Sequence, residues 1–447
     1  MSSVMEIAMK DLGYLIEAAQ ANMKYLPGPV INVQGFGATG GGVKDDTAAI
    51  ITAINYATSN LPAKLYFPKG VYLYTDLGNL AYTGLSFVGE SDKETVLKCT
   101  STVDNHNAIY LDAFESGSPT DQFVMRCNWV NITVEGNAKT ASIFNVQGLA
   151  RCNWQNVVTR VGEPTAGIAF NFKGVQLCNF EGLFCSTDLD AMASKPYYGL
   201  YLDQGVRASV SVGFSTNNVF TACYFEGLPV GERLYLADQN VFIGGSAESC
   251  TVYGLVVNDL SRHNTFIGHA FESPDSTADI SDGGFSTQYI NCYSVKSILL
   301  QGDQIKLSGG VHERIEVQSD AIKCCIENLK TNYFNTGSGG FEDNGTATEW
   351  KNLYDQTEGG YIYPLKPRVS ITVGASPFTF QNTTGQYIEV VLQSGTISEV
   401  LGNRRGVTYL CSTLVPNKHL LAPLDSLKIS YSDEPLMSYL PHNGFQG

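Results

Sequence analysis

Three copies of one phrase stand in succession: NNVFTACYFEG (Asn217 to Gly227), QNVFIGGSAES (Gln239 to Ser249) and HNTFIGHAFES (His263 to Ser273). Each reads Asn, any residue, Phe, and then Glu six places beyond the Phe. The phenylalanines fall at positions 220, 242 and 266, so the steps are 22 and 24 residues. A repeat of that length, rich in β-formers and Gly and poor in helix signals, is one rung of a coiled sheet. Trp129, Trp154 and Phe180 extend the series backward, and Tyr289 extends it forward. The step from 180 to 220 is 40, room for one rung plus an insertion. These residues predict a parallel β-helix with one aromatic per turn stacked on the next.

Neighbouring positions keep the same phase. Two places before the aromatics stand Cys127, Cys152, Cys178, Asn218, Asn240 and Asn264. Two places after stand Asn131, Asn156, Gly182, Ala222, Gly244, Gly268 and Asn291, residue types that suit a tight bend with positive φ. Stacked Asn amides can also hydrogen-bond from rung to rung. Positions three and five after are mostly small or apolar and read as interior. Position six, with Glu135, Glu226, Glu248 and Glu272, reads as outside or at a corner. A second strand precedes several aromatics, at Gly167–Phe170, Gly199–Asp203, Leu234–Asp238 and Gly254–Asn258.

At 447 residues the chain can bury a large core, and 16% charged residues with abundant Gly, Tyr and Phe fit an all-β protein. A net charge of −15 argues against a nucleic-acid partner, because phosphate binding needs basic patches. No apolar run reaches the length of a membrane span. The opening MSSVMEIAMKDLGYL lacks the basic and apolar regions of a signal peptide. The eleven cysteines read as small, unpaired interior fillers made in a reducing cytoplasm, and none has zinc-site spacing. Neither a cofactor nor a metal is expected.

In chain order, residues 1–29 form an N-terminal helix or neck. Val4, Ile7, Ala8, Leu12, Leu15, Ile16, Ala19 and Met23 give it an apolar stripe. The stripe packs on its own domain or on a three-stranded bundle at a symmetry axis. Gly35-Phe36-Gly37-Ala38-Thr39-Gly40 matches G-x-G-x-x-G, but four residues and two aspartates separate it from the next helix. A dinucleotide site is therefore rejected. Asp45 or Asp46 is placed to cap a helix over 46–60.

FGATGGGVKDDTAAI (Phe36 to Ile50) followed by LYFPKGVYLY (Leu65 to Tyr74) resembles the opening of pectate-lyase-superfamily proteins, a grouping that includes bacteriophage tailspikes. The resemblance covers roughly residues 30 to 310 and implies a right-handed β-helix whose first rung is capped by that helix. The run Val369 to Tyr431 is similar to small β-rich end domains of phage structural proteins. The fold expected is thus all-β: a right-handed parallel β-helix over 30–345, with rungs over about 64 to 320, and a sandwich-like domain over 346–447. The polygalacturonase branch's Asn-Thr-Asp, Gly-His-Gly and Arg-Ile-Lys motifs are not intact here, so none of that branch's site residues carries over.

Segments between rungs must leave the cylinder. An insertion over 187–214 brings Asp188, Asp190, Tyr197, Tyr198, Tyr201 and Arg207 beside the rung of Glu226, as aromatic faces suited to stacking on sugars. Glu226, Glu248 and Glu272 occupy one column, with neighbours about 5 Å apart and the outer two about 10 Å. Like charges at that spacing raise at least one pKa, and a protonated acid beside an ionised base is what glycoside hydrolysis needs. The other reading is a solvated column paired with Arg233 and Arg262. Asp203 is the fourth carboxylate candidate. The expectation is a homotrimeric phage or prophage tail appendage in the virion, joined to other tail proteins through its N-terminus. It would bind and hydrolyse a bacterial surface polysaccharide. A polysaccharide lyase and a non-catalytic adhesin are the alternatives.

Overall fold

A computed structural model describes residues 28–115, 123–160, 167–186, 197–207, 210–331, 341–355, 360–362, 369–384, 387–413 and 415–442. The N-terminal helix expected over residues 4–25 lies outside them. The chain divides into two compact units. The first holds Met1–Cys324 with Leu329–Thr346; the second holds Cys325–Asn328 with Ala347–Gly447.

The first unit is a right-handed parallel β-helix. Three columns of strands repeat along it. The first runs through Leu85–Gly89, Asn153–Arg160, Asn179–Glu181, Val219–Thr221, Val241–Ile243, Thr265–Ile267, Gln288–Ile290 and Lys306–Ser308. The second carries Phe184–Ser186, Tyr224–Glu226, Ser246–Glu248 and Ala270–Glu272. The third carries His106–Asp112, Thr140–Gln147, Ile168–Lys173, Tyr198–Asp203, Val230–Leu234, Tyr253–Val257 and Ala278–Asp282.

The aromatic series is a continuous buried column. Phe180 pairs directly with Phe220, so the long sequence step is one rung with its insertion looped out. The rings of Phe180, Phe220, Phe242, Phe266 and Tyr289 stack with centroids 4.8, 4.7, 4.5 and 5.3 Å apart. Trp154 tilts against Trp129 and meets Phe180 edge-on, and Phe87 adds one further stacked ring before Trp129. Two places earlier runs a polar ladder, also buried. Asn218 donates its amide to Asn240 Oδ1 at 2.8 Å, and Asn240 donates to Asn264 Oδ1 at 3.0 Å. In the cysteine part the sulfur does the accepting, from Cys127 N to Cys152 Sγ at 3.3 Å and from Cys152 N to Cys178 Sγ at 3.4 Å. The bend two places after each aromatic has the expected positive φ, from Asn131 at 54° to Asn291 at 52°.

Two expectations need correction. The strand expected at Leu234–Asp238 is Val230–Leu234 instead, because Glu232 points inward at the position of Leu200 and Leu255 and breaks the apolar alternation. The repeat also continues past residue 320, with Phe341–Asp343 pairing on Ile315–Val317.

The helix is Thr47–Thr58, and it buries Ile50, Ala53, Ile54 and Ala57. Asp46 stands at its N-cap position without a side-chain cap bond, and Asp45 accepts from Thr47 N at 2.9 Å. Asp46 instead turns back and accepts from Thr39 N at 2.8 Å and Gly40 N at 3.1 Å. Two amides of the glycine-rich turn are thus already filled by a carboxylate, which explains its likeness to a phosphate loop.

The second unit holds two four-stranded antiparallel sheets, one of Val369–Ile371, Met437–His442, Tyr387–Leu392 and Asn417–Leu421. The other comprises Phe378–Gln381, Ser426–Asp433, Thr396–Arg404 and Val407–Leu410. Ile388, Val390, Leu392 and Leu421 of one sheet meet Val400, Leu427 and Ile429 of the other in a single core, as in a sandwich. Among the described residues no helix is long and apolar enough to cross a membrane.

Candidate functional site

The three glutamates are in register. Glu226 pairs with Glu248 and Glu248 with Glu272, on consecutive strands of the second column. Their backbones are therefore about 4.8 Å apart per rung. They point outward because Phe225, Ala247 and Phe271, one residue before each, fill the interior. Ser246 donates its hydroxyl to Glu248 Oε1 at 2.6 Å, which holds that oxygen as an acceptor. Earlier in the same column Lys98 Nζ lies 2.5 Å from Glu135 Oε1. On the rung before the three later glutamates, Ser186 takes the register position of Glu226.

The tyrosines form a second group, on the outer face of the third column. Tyr198 pairs with Val230, which follows Glu226 by only four residues, so one corner of the cylinder separates the glutamates from Tyr198. Tyr197 and Tyr198 meet at 4.7 Å between centroids, and Tyr198 and Tyr201 at 5.5 Å. Arg233 is the centre of the group. It donates to Tyr198 Oη at 2.6 Å, and its guanidinium lies 5.4, 5.7 and 5.7 Å from the ring centres of Tyr198, Tyr201 and Tyr235. The outward row continues on earlier rungs through Asn171 and Asn145, whose amides are joined at 3.2 Å. Burial pushes the Tyr201 hydroxyl up to about 12.

Asp203 lies on the same strand as Tyr198 and Tyr201. It ends the strand that Tyr198 begins, five residues on, which is roughly 16 Å along an extended chain. Asp203 accepts from Gln204 N at 2.7 Å. Burial raises its pKa, opposed by the Gln204 amide and by the charges of Lys173, its register partner, and Arg233. Arg207 lies on the first strand of a hairpin, Gly205–Arg207 with Val210–Gly213, and Val206 N donates to Gln147 Oε1 at 3.1 Å. Asp188 and Asp190 fall outside the described residues.

Arg233, Tyr235, Asn171 and Asn145 were not among the sequence candidates for binding. The signal was present: once the strand is placed at Val230–Leu234, Arg233 falls in the outward row of Tyr201. Among the described residues no cluster of three His, Cys, Asp or Glu has the geometry to hold a metal ion.

The model for rhamnogalacturonase A/epimerase, pectate lyase-like proteins matches residues 30–190. The fold is a pectate-lyase-like β-helix. The chain is 27% identical over 222 residues to the non-secreted LysM effector LysM15 of Penicillium expansum, covering 47% of this chain and 14% of that protein. Among solved structures it is similar to ORF18 of Geobacillus virus E2, with a TM-score of 0.47 and 16% identity over 90% of this chain and 78% of that one. It is also similar to the A-module of the mannuronan C-5 epimerase AlgE4 of Azotobacter vinelandii. There the TM-score is 0.49 and the identity 16%, over 73% of this chain and 94% of that module.

Proposed function

We propose that this protein binds a bacterial surface polysaccharide along the outer face of its β-helix and hydrolyses it within the chain. The observation that carries the reading is the in-register column of Glu226, Glu248 and Glu272, one corner away from the tyrosine and Arg233 floor. Their backbones are spaced by about 5 Å per rung and by about 10 Å between the outer two, a scale comparable to the carboxyl separations of retaining and inverting hydrolysis. Glu248, held by the Ser246 hydroxyl, suits the ionised base or nucleophile, and Glu226 or Glu272 suits the acid. Tyr197, Tyr198 and Tyr201 would stack on sugar rings, with Asp203, Lys173 and Arg207 supplying polar contacts. The matching family model's own description names a rhamnogalacturonase and an epimerase, which agrees with a polysaccharide ligand. A phage or prophage tail appendage, trimeric and joined to the tail through its N-terminus, is the setting implied by the sequence resemblance.

A second reading is binding without cleavage. It is favoured by Lys98 and Glu135, which show that a glutamate of this same column serves elsewhere as an ion-pair partner on a solvated wall. Depolymerisation of host capsule, lipopolysaccharide and wall glycans separates the two. The wild type should release reducing ends, and E226Q, E248Q or E272Q should lower turnover by roughly 10² to 10⁴ with the fold retained. Wild-type cleavage that persists equally in E226Q, E248Q, E272Q and D203N puts the site elsewhere. Products with the ultraviolet absorption of an unsaturated uronide make it a lyase, and binding without products makes it an adhesin.

A further inference from the structure

One polar pair inside the β-helix has no complete hydrogen-bonding account. Glu232 is 0% exposed and faces inward between Leu200 and Leu255. His269 is 1% exposed, and its Nδ1 lies 2.8 Å from Gly244 O. A carbonyl only accepts, so Nδ1 carries a hydrogen and Nε2 of the neutral ring presents a lone pair. That Nε2 faces Glu232 Oε1 at 3.5 Å. Among the described residues neither glutamate oxygen nor Nε2 has a hydrogen-bond partner of normal length.

Two charges here would be stripped of water with only each other as company, an arrangement whose desolvation cost exceeds its Coulombic gain unless further hydrogen bonds satisfy the pair. The titratable groups that interact with Glu232 are the thiols of Cys223, Cys250 and Cys292 and the phenol of Tyr289. All four are held protonated, the thiols pushed up to about 12 by burial and the phenol also raised by burial. Arg233, the next residue, lies on the outer face among tyrosines. A single proton on the carboxyl, donated toward the imidazole lone pair, leaves both groups neutral.

We propose that Glu232 and His269 form a neutral carboxylic acid–imidazole pair, so that folding moves a proton from histidine to glutamate and ties the β-helix to the pH range in which that pair stays neutral. Burial pushes Glu232 from 4.5 up to about 8 and His269 from 6.5 down to about 4. The glutamate's raised pKa costs stability as pH climbs from 4.5 toward 8, and the histidine's lowered pKa costs stability as pH falls from 6.5 toward 4. Between 4.5 and 6.5 the two slopes cancel, since unfolded and folded chains each hold one proton on the pair. From 6.5 to 8 the folded chain alone holds a proton, and the folding equilibrium falls by up to tenfold per pH unit, about thirtyfold in all.

Infrared spectroscopy of the full chain at neutral pH tests this. The expected result is a protonated-carboxyl carbonyl band, shifted in deuterated water and lost in E232Q. Nitrogen-15 spectra of the wild type, with the His269 ring assigned by its loss in H269Q, should show Nδ1 protonated and Nε2 bare. A His269 ring protonated at both nitrogens, or a carboxyl band that loses no intensity in E232Q, overturns the pair. The ring spectrum decides even where E232Q does not fold.

Discussion

Tyr289 donates its hydroxyl to Asp282 Oδ2 at 2.9 Å, and both residues are fully enclosed. Tyr289 is the last ring of the aromatic column, since Leu307 takes its place on the next rung. The bond ties the end of that column to the third-column strand beside it. Burial pushes Asp282 up to about 6, while Gly284 N, Tyr289 and Thr287 pull it down. Its folded value exceeds its ordinary 3.8, so the stability it allows is complete below 3.8 and is lost as pH rises through about 6. Tyr289→Phe removes one of the donors that oppose this loss. The expected cost is about 1–3 kcal/mol, larger at pH 8 than at pH 4, measured as urea midpoints at the two values. Asp282→Asn should abolish the difference between them.

Asn240 is the middle of the interior amide ladder. It accepts from Asn218 N and Nδ2 and donates to Asn264 Oδ1 and Ser215 O. Asn240→Ala leaves those donors buried and unmatched, at about 1–3 kcal/mol for each group that cannot relax. Asn240→Cys should cost less, because Cys152 and Cys178 already accept backbone N–H groups at this ladder position. Thermal unfolding of the two variants orders them. Equal losses would mean that the ladder contributes volume and not hydrogen bonding.

Phe242 stacks on Phe220 at 4.7 Å and on Phe266 at 4.5 Å. Phe242→Ala should lower stability by about 3–5 kcal/mol, the range for emptying a buried aromatic site. Phe242→Leu should be milder, since Leu307 already occupies this register position on a later rung. Chemical denaturation followed by far-ultraviolet circular dichroism reads both.

Tyr201→Ala and Arg233→Ala should weaken glycan binding while the glutamates keep their geometry. Glu248→Gln should do the reverse, keeping affinity and losing turnover. Isothermal titration with host oligosaccharides beside reducing-end release separates the two behaviours. If Arg233→Ala lowers turnover at saturating substrate and leaves affinity unchanged, the tyrosine floor is part of the chemistry and not a binding surface.

The β-helix was legible because its strongest side chains recur in phase. An aromatic must meet an aromatic at each turn, so Trp129, Phe180 and Tyr289 announce the rung spacing directly. The glutamate column was legible for the same reason. The third column is harder to read, because a single inward acid, Glu232, breaks the alternation that marks a strand, and the apolar pattern then points to Leu234–Asp238 in place of Val230–Leu234. With it goes the role of Arg233. The corner three places before each aromatic was silent for another reason. Arg126, Arg151, Leu177 and Gln239 all adopt φ between 53° and 57° there, although none is a residue type that signals such a bend. Rung-to-rung bonds such as Leu177 N to Thr216 O and Gln239 N to Arg262 O hold them in place, and local sequence does not display those bonds.

The interior ladder also has a direction. Cys127 N reaches forward to Cys152, Cys152 N to Cys178, Cys178 N to Asn218, Asn218 N to Asn240 and Asn240 N to Asn264. In every case an earlier rung supplies the hydrogen and a later rung supplies the atom that receives it. A chain leaving the ribosome amino end first would therefore keep the newest turn of this column one bond short until the following turn arrives to close it.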